Sequence, residues 1–79
     1  MKARGSIVQN GRAIAQGLSV TLKVQGTRWS GHVEIPKGMT LSPGGYQLQL
    51  HDRRTGRMVI NVIDGDTAFF EGDGELKNR

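Results

Sequence analysis

Cysteine is absent from the sequence, which excludes disulfide bonds and thiolate metal sites. With only two histidines, any metal would have to be held by histidines and carboxylates alone. No apolar run approaches the ~20 residues of a membrane-spanning helix, and the N-terminus lacks the apolar stretch of a signal peptide. A chain of 79 residues is one domain that buries about 60% of its unfolded surface. We therefore expect a small soluble cytoplasmic domain with no membrane contact.

Glycine, in contrast, is abundant, and its placement indicates tight turns between short strands. There are 12 glycines without a collagen period, about twice the average usage. Apolar and polar residues alternate over residues 18–25 and again over 28–35, which predicts two half-buried strands. The turn Gly26-Thr27 between them pairs Val24 with Trp29 and puts the apolar residues on one face.

Three further connections complete the predicted strand order. Asn10-Gly11 is a strong hairpin signal, and Asp64-Gly65 is a second one that would pair Ile60 with Phe69. A three-residue loop at 54–56 would pair Leu50 with Ile60. Residues 36–45 contain two prolines and three glycines, which is typical of a long loop.

This pattern predicts an all-β fold, a small antiparallel barrel of six or seven short strands in a hairpin meander, SH3-like in style. We expect the barrel to span residues 1–71 and residues 72–79 to form a short flexible tail. The side chains predicted to point inward are Val8, Leu18, Val20, Leu22, Val24, Trp29, Val33, Ile35, Tyr46, Leu48, Leu50, Met58, Ile60, Val62 and Phe69.

An alternative architecture rests on a local resemblance. Three segments read GSIVQNG at 5–11, GLSVTL at 17–22 and LSPGGYQL at 41–48. They resemble the leading strand, the "VTL" strand and the "PGxY" strand start of transthyretin-like, carboxypeptidase-regulatory-type domains. The resemblance covers about half the chain and implies a Greek-key β-sandwich with an accessory or interaction role.

Charge is distributed unevenly along the chain. Residues 1–60 hold nine of the eleven basic residues and two of the seven acids, a net of +7, whereas residues 61–79 carry −3. In a meander of seven strands, alternate turns lie at one end of the barrel. The arginines that flank those turns are Arg12, Arg28, Arg53, Arg54 and Arg57. They are either a solubilising surface or a site for nucleic acid or another polyanion.

A second apolar face gives the leading functional expectation. Val59, Ile63 and Phe70 are predicted to point away from the core, so they require cover from the first hairpin or from another chain. We expect a non-enzymatic protein-interaction or assembly module that binds through this face or through a strand edge, with self-association as one form of it. His32 and His51 have no nucleophile motif near them, and no catalytic residue, cofactor, metal or small-molecule substrate is expected.

Overall fold

Six antiparallel strands make up the structure, a computed structural model that describes residues 1–78. They close into one barrel in the order β1-β2-β3-β6-β5-β4. The predicted small antiparallel barrel is confirmed, and the sandwich alternative is wrong because the sheet closes on itself. Residues 1–78 contain no helix that could cross a membrane. The strands are β1 (Lys2–Gln9), β2 (Arg12–Gln25), β3 (Arg28–Glu34), β4 (Gly44–Leu50), β5 (Arg54–Asp64) and β6 (Thr67–Asn78).

The barrel is built from two three-stranded meanders. Strands β1, β2 and β3 form the first, and β4, β5 and β6 form the second. Residues 35–43 connect them, and the barrel closes where β3 pairs with β6 and β1 with β4. Because every pairing is antiparallel, β1, β3 and β5 begin at the same end at which β2, β4 and β6 finish. We call this the N-terminal end of the barrel.

Two hairpins form as their turn residues predict. Asn10 and Gly11 have φ values of 54° and 75°, and Gly26 has 60°, the left-handed values that these turns require. The register that pairs Val24 with Trp29 is confirmed. The first strands differ from expectation in one respect: β2 runs unbroken through Gly17, which forms an irregularity with φ 67° and does not end a strand. The barrel therefore has six strands and five connections.

The β4–β5 turn lies three residues earlier than predicted. It occupies residues 51–53, with Arg53 in the left-handed region at φ 76°. Leu48 therefore pairs with Gly56, and Ile60 pairs with Gly44 and not with Leu50 as predicted. The Asp52 side chain explains this turn, because its carboxylate accepts a hydrogen bond from the Arg54 backbone N–H at 3.1 Å. Gly56 is needed within the strand, where a Cβ atom would lie 2.7 Å from Cζ2 of Trp29.

The β5–β6 register also differs from the prediction. The turn is Gly65-Asp66, and a bulge at Asn61 lets Ile60 pair with Phe70 and Val62 with Phe69. Phe70 is therefore buried, and Phe69 faces outward. The physical reason is the rest of β6: burying Phe69 would have turned the charged residues at 71 and 73 toward the core, since side chains alternate along a strand.

Ten of the fifteen side chains predicted to point inward are buried. Ile35 and Tyr46 are half-buried, and Val24, Val62 and Phe69 are exposed. Val24 lies in the inward phase of β2 but close to the N-terminal end, where no further strand covers it. The buried residues that the alternation missed are Ile7, Ala15, Leu41, Ala68 and Phe70.

The segment assigned to a tail continues the barrel. Residues 72–78 belong to β6 and pair with β5 as far as Arg54 and Asn78. Leu76 is half-buried and packs against the core. Arg79 lies outside the described residues.

Candidate binding surfaces

An exposed apolar cluster lies on the outer face of β5 and β6. Phe69 is 43% exposed, its cross-strand partner Val62 is 55% exposed, and Val59 on the same face of β5 is 38% exposed. We call these three residues the Phe69 surface. Phe69 also meets the His32 ring on β3, with 5.6 Å between the ring centroids. These four side chains form a continuous outward strip across three strands.

This cluster only partly overlaps the face predicted from the sequence. Of the predicted residues, Val59 is on the outer face, whereas Ile63 is half-buried and packs against the core. Phe70 is 2% exposed and packs edge-on against Trp29, with 5.8 Å between their ring centroids. Phe70 therefore cannot contact a partner. The bulge at Asn61 exchanges the roles of the two phenylalanines, and the charged alternation of β6 was the signal that could have revealed it.

The histidines and acids do not form a catalytic arrangement among residues 1–78. His51 is exposed in the β4–β5 turn, and His32 lies half-buried against Phe69. The described part of the chain holds no group of three or more histidine, aspartate or glutamate side chains placed to bind a metal. No polar or charged residue is buried within the same range.

The structure separates the five arginines that the sequence analysis grouped. Arg28, Arg53 and Arg54 lie at the N-terminal end of the barrel. Arg12 follows the β1–β2 turn at the opposite end, because β2 is one strand and not two. Arg57 lies within β5, directly across from Asp73 on β6. The predicted cluster of five is therefore wrong as a spatial group.

Lysines that sequence reasoning did not select join the three remaining arginines. Strand β1 begins at Lys2, Lys23 lies near the end of β2, and Lys77 lies near the end of β6. Every strand end or turn at the N-terminal end thus carries a cation, and all of these side chains except the half-buried Arg54 are exposed. We call this set the basic rim. Its residues are Lys2, Lys23, Arg28, Arg53, Arg54 and Lys77.

One residue of the basic rim is neutralised locally. Asp52 accepts hydrogen bonds from the Arg54 backbone and from Nε of its guanidinium, and the carboxylate lies 2.7 Å from Nη2. The side-chain hydrogen bond from Arg54 is the main reason that the pKa of the Asp52 carboxyl lies below its ordinary value of 3.8. It is the only ion pair among the described residues. The other five cations of the basic rim form no ion pair with a carboxylate among residues 1–78.

A groove opens beside the basic rim, where the barrel separates between β3 and β6. The pairing of these strands ends at Ser30 and Glu71, although both strands continue. The Trp29 indole spans the gap from inside and donates a hydrogen bond from Nε1 to the Gly74 carbonyl at 2.8 Å. The groove has a volume of about 440 Å³, and Lys23 and Arg28 form its basic wall.

The molecule thus presents two chemically different surfaces. The Phe69 surface is apolar and lies on the outer face of the sheet, whereas the basic rim is charged and lies around one end of the barrel. No protein-family model, curated protein or solved structure matches this chain, so neither surface is assigned by likeness to a known protein.

Proposed function

We propose that this protein is a non-enzymatic interaction module that binds another protein through the Phe69 surface. The observation that carries the proposal is the exposure of Phe69. A phenylalanine on a strand next to a well-filled core keeps 43% of its area in water, directly opposite a valine that is 55% exposed. A cluster of this kind, surrounded by polar residues, is characteristic of a contact site between proteins.

The size of the surface indicates a transient complex. Fully burying an apolar side chain of this size contributes about 1.5–3 kcal/mol, so covering the exposed parts of three such residues adds roughly 3 kcal/mol. A stable interface buries about 800 Å² on each partner, of which the three side chains supply only the centre. The rest comes from neighbouring polar positions on the same face, such as Ser30 and Glu71. Phe69 is then the anchor residue of the contact.

The sheet also holds this surface in a fixed shape. Val62 and Phe69 pair with each other in the β5–β6 ladder beside the bulge at Asn61, and Phe69 is paired on its other side with His32. Side chains on a rigid sheet lose little conformational freedom when a partner binds, which favours affinity for a given contact area. A strand edge contributes less to this proposal than expected from the sequence, because closure of the barrel pairs most of the edges.

The test is photo-crosslinking from position 69 in cells that produce the protein, followed by mass spectrometry of the products. The matched control places the same crosslinker at Gln16, an exposed strand position near the opposite end of the barrel. We expect a discrete product from position 69 that is absent from position 16 and is lost when Val62→Ser is added.

Sedimentation over a wide concentration range identifies the partner class. Self-association that Phe69→Ser removes would assign the surface to assembly with a second copy. Identical products from both crosslinker positions, together with a monomer at every concentration, would refute the proposal.

A further inference from the structure

We propose that the basic rim binds the phosphate backbone of duplex DNA. This is a second site, separate from the Phe69 surface and of different chemistry. It depends on the barrel topology, which brings cations from distant parts of the sequence to one end. Lys2 at the start of the chain and Lys77 near its finish share that end with the β2–β3 and β4–β5 turns.

Contacts across the N-terminal end support this placement. Nη2 of Arg54 lies 4.0 Å from Sδ of Met1, and the His51 backbone N–H donates a hydrogen bond to the Arg4 carbonyl at 2.9 Å. The β4–β5 turn therefore lies beside the start of β1. On the other side of the rim, Arg28 pairs directly with Gln25 near the end of β2.

The two ends of the barrel differ in net charge. In the half of the barrel at the N-terminal end, the six cations of the basic rim, together with Arg4 and Arg57, outnumber four acids, Asp52, Glu71, Asp73 and Glu75, which leaves a net of +4. At the opposite end, Arg12 and Lys37 face three acids, Glu34, Asp64 and Asp66, which leaves −1. An anionic ligand is therefore attracted to the N-terminal end in preference to the other.

The arrangement of the cations favours an extended polyanion over a small anion. They come from five strand ends and one turn distributed around the barrel, and only Arg53 and Arg54 are neighbours in the sequence. A single phosphate or carboxylate could meet only one or two of them. A duplex presents one charge for every ~1.7 Å of its length, so it can contact several cations at once.

The aromatic residues argue for contact with the backbone and against contact with bases. Proteins that bind single strands stack bases on exposed aromatic side chains. Here Trp29 is 4% exposed, its indole N–H is bonded to Gly74, and Phe70 is buried beneath it. The exposed Phe69 is the third residue of β6 and lies near the opposite end of the barrel. Tyr46 is near the start of β4 at the opposite end, with its hydroxyl bonded to the Ser42 carbonyl at 2.8 Å. Binding through phosphates alone favours the duplex, which has the higher charge density.

The experiment measures fluorescence anisotropy of a labelled 20-base-pair DNA duplex over a salt series that begins at ~50 mM. If three to five cations contact phosphates, the logarithm of the affinity falls with the logarithm of the salt concentration with a slope of about −3 to −4.5. The rim variant combines Arg28→Gln and Lys77→Gln. Its matched control combines Arg12→Gln and Lys37→Gln, which remove the same charge from exposed positions at the opposite end.

We expect the rim variant to bind more weakly, with a slope shallower by about 2, and the control to keep most of the wild-type affinity and slope. A third variant, Asp52→Asn, tests the same site by gain of function. It frees the Arg54 guanidinium while retaining a side-chain oxygen for the Arg54 backbone N–H. Its affinity should rise and its slope steepen by up to about 1.

Several outcomes would overturn the proposal: no binding at ~50 mM salt, equal losses in the rim variant and its control, tighter binding of a single strand of equal length, or competition by polyglutamate as effective as unlabelled duplex. Circular dichroism confirms that each variant is folded. Phe69→Ser is expected to leave the duplex affinity unchanged, so failure of this site is distinguishable from failure of the Phe69 surface.

Discussion

Replacing Gly72 with alanine should destabilise the barrel strongly, because the Trp29 indole occupies the space beside it. A Cβ atom at position 72 would lie 2.2 Å from Nε1 and 2.3 Å from Cε2 of Trp29. Neither the backbone of β6 nor the buried ring can give way cheaply, since Gly72 pairs with Met58 and the ring packs on Phe70. The ring must shift, and its hydrogen bond to Gly74 is then lost.

The expected magnitude combines three contributions. Overpacking a core costs about 1–3 kcal/mol, and leaving a buried N–H without a partner costs about 1–3 kcal/mol. Alanine lowers the conformational entropy of the unfolded chain, which offsets about 0.4–1 kcal/mol of this loss in stability. We therefore expect Gly72→Ala to lower the free energy of unfolding by about 3 kcal/mol. This is a large fraction of the roughly 4–12 kcal/mol that stabilises a domain of this length.

Urea unfolding, followed by circular dichroism and by the emission of the single tryptophan, measures this loss. With a slope of about 1 kcal/mol per molar urea, the midpoint should fall by about 3 M. Gly45→Ala is the matched control, because Gly45 is also in a strand but no atom lies within 4 Å of its added Cβ. Its stability should stay within about 1 kcal/mol of the wild type.

A double-mutant cycle isolates the contact itself. Trp29→Leu removes Nε1 and Cε2, the two ring atoms nearest position 72, so Gly72→Ala should cost less in that background than in the wild type. Similar stabilities of Gly72→Ala and Gly45→Ala, or an equal cost of Gly72→Ala in both backgrounds, would show that Trp29 does not exclude a side chain at position 72.

Three further expectations follow from the same structure, each measured by urea unfolding. Phe70→Ala should cost about 3–5 kcal/mol, whereas Phe69→Ala should cost less than about 1 kcal/mol, and equal costs would contradict the β6 register. Gly11→Ala should cost about 1 kcal/mol because φ is 75° there, and a neutral result would argue against the turn. Asp52→Asn should be slightly less stable than the wild type at neutral pH. That difference in stability should shrink as the pH falls below 3.8 and disappear once the pH is below the lowered pKa of Asp52. The cause is protonation of the carboxyl, which removes its charged contact with Arg54. A difference that stays constant with pH would contradict the pairing.

Much of the fold was predictable because its signals are local. The hairpins at Asn10-Gly11 and Gly26-Thr27 depend on residues next to each other in the chain, and their backbone angles are as expected. The β4–β5 turn was harder to place, because Gly56 suggested a left-handed turn residue. The structure uses that glycine to accommodate Trp29, a contact between positions 27 residues apart in the sequence, and places Arg53 in the left-handed position.

The candidate sites were less predictable than the fold. The Phe69 surface depends on which side chains of β6 face outward, and the basic rim depends on the end of the barrel at which each cation lies. A single bulge at Asn61 decides whether Phe69 or Phe70 meets solvent. The continuity of β2 through Gly17 decides at which end Arg12 lies. The alternation of apolar residues reveals neither irregularity, because it stays acceptable on both sides of each one. For β6, the charged residues at 71 and 73 are the sequence signal that favours an outward Phe69.

A small β-protein with glycine turns, no cysteine chemistry and an excess of basic residues can be recognised from the amino-acid sequence alone. Those properties follow from composition and from interactions between near neighbours. The exposure of Phe69 and the grouping of the cations at one end of the barrel depend on the tertiary fold. Closure of the sheet fixes both, because it sets the inward phase of β6 against Trp29 and brings Lys2 and Lys77 to the same rim.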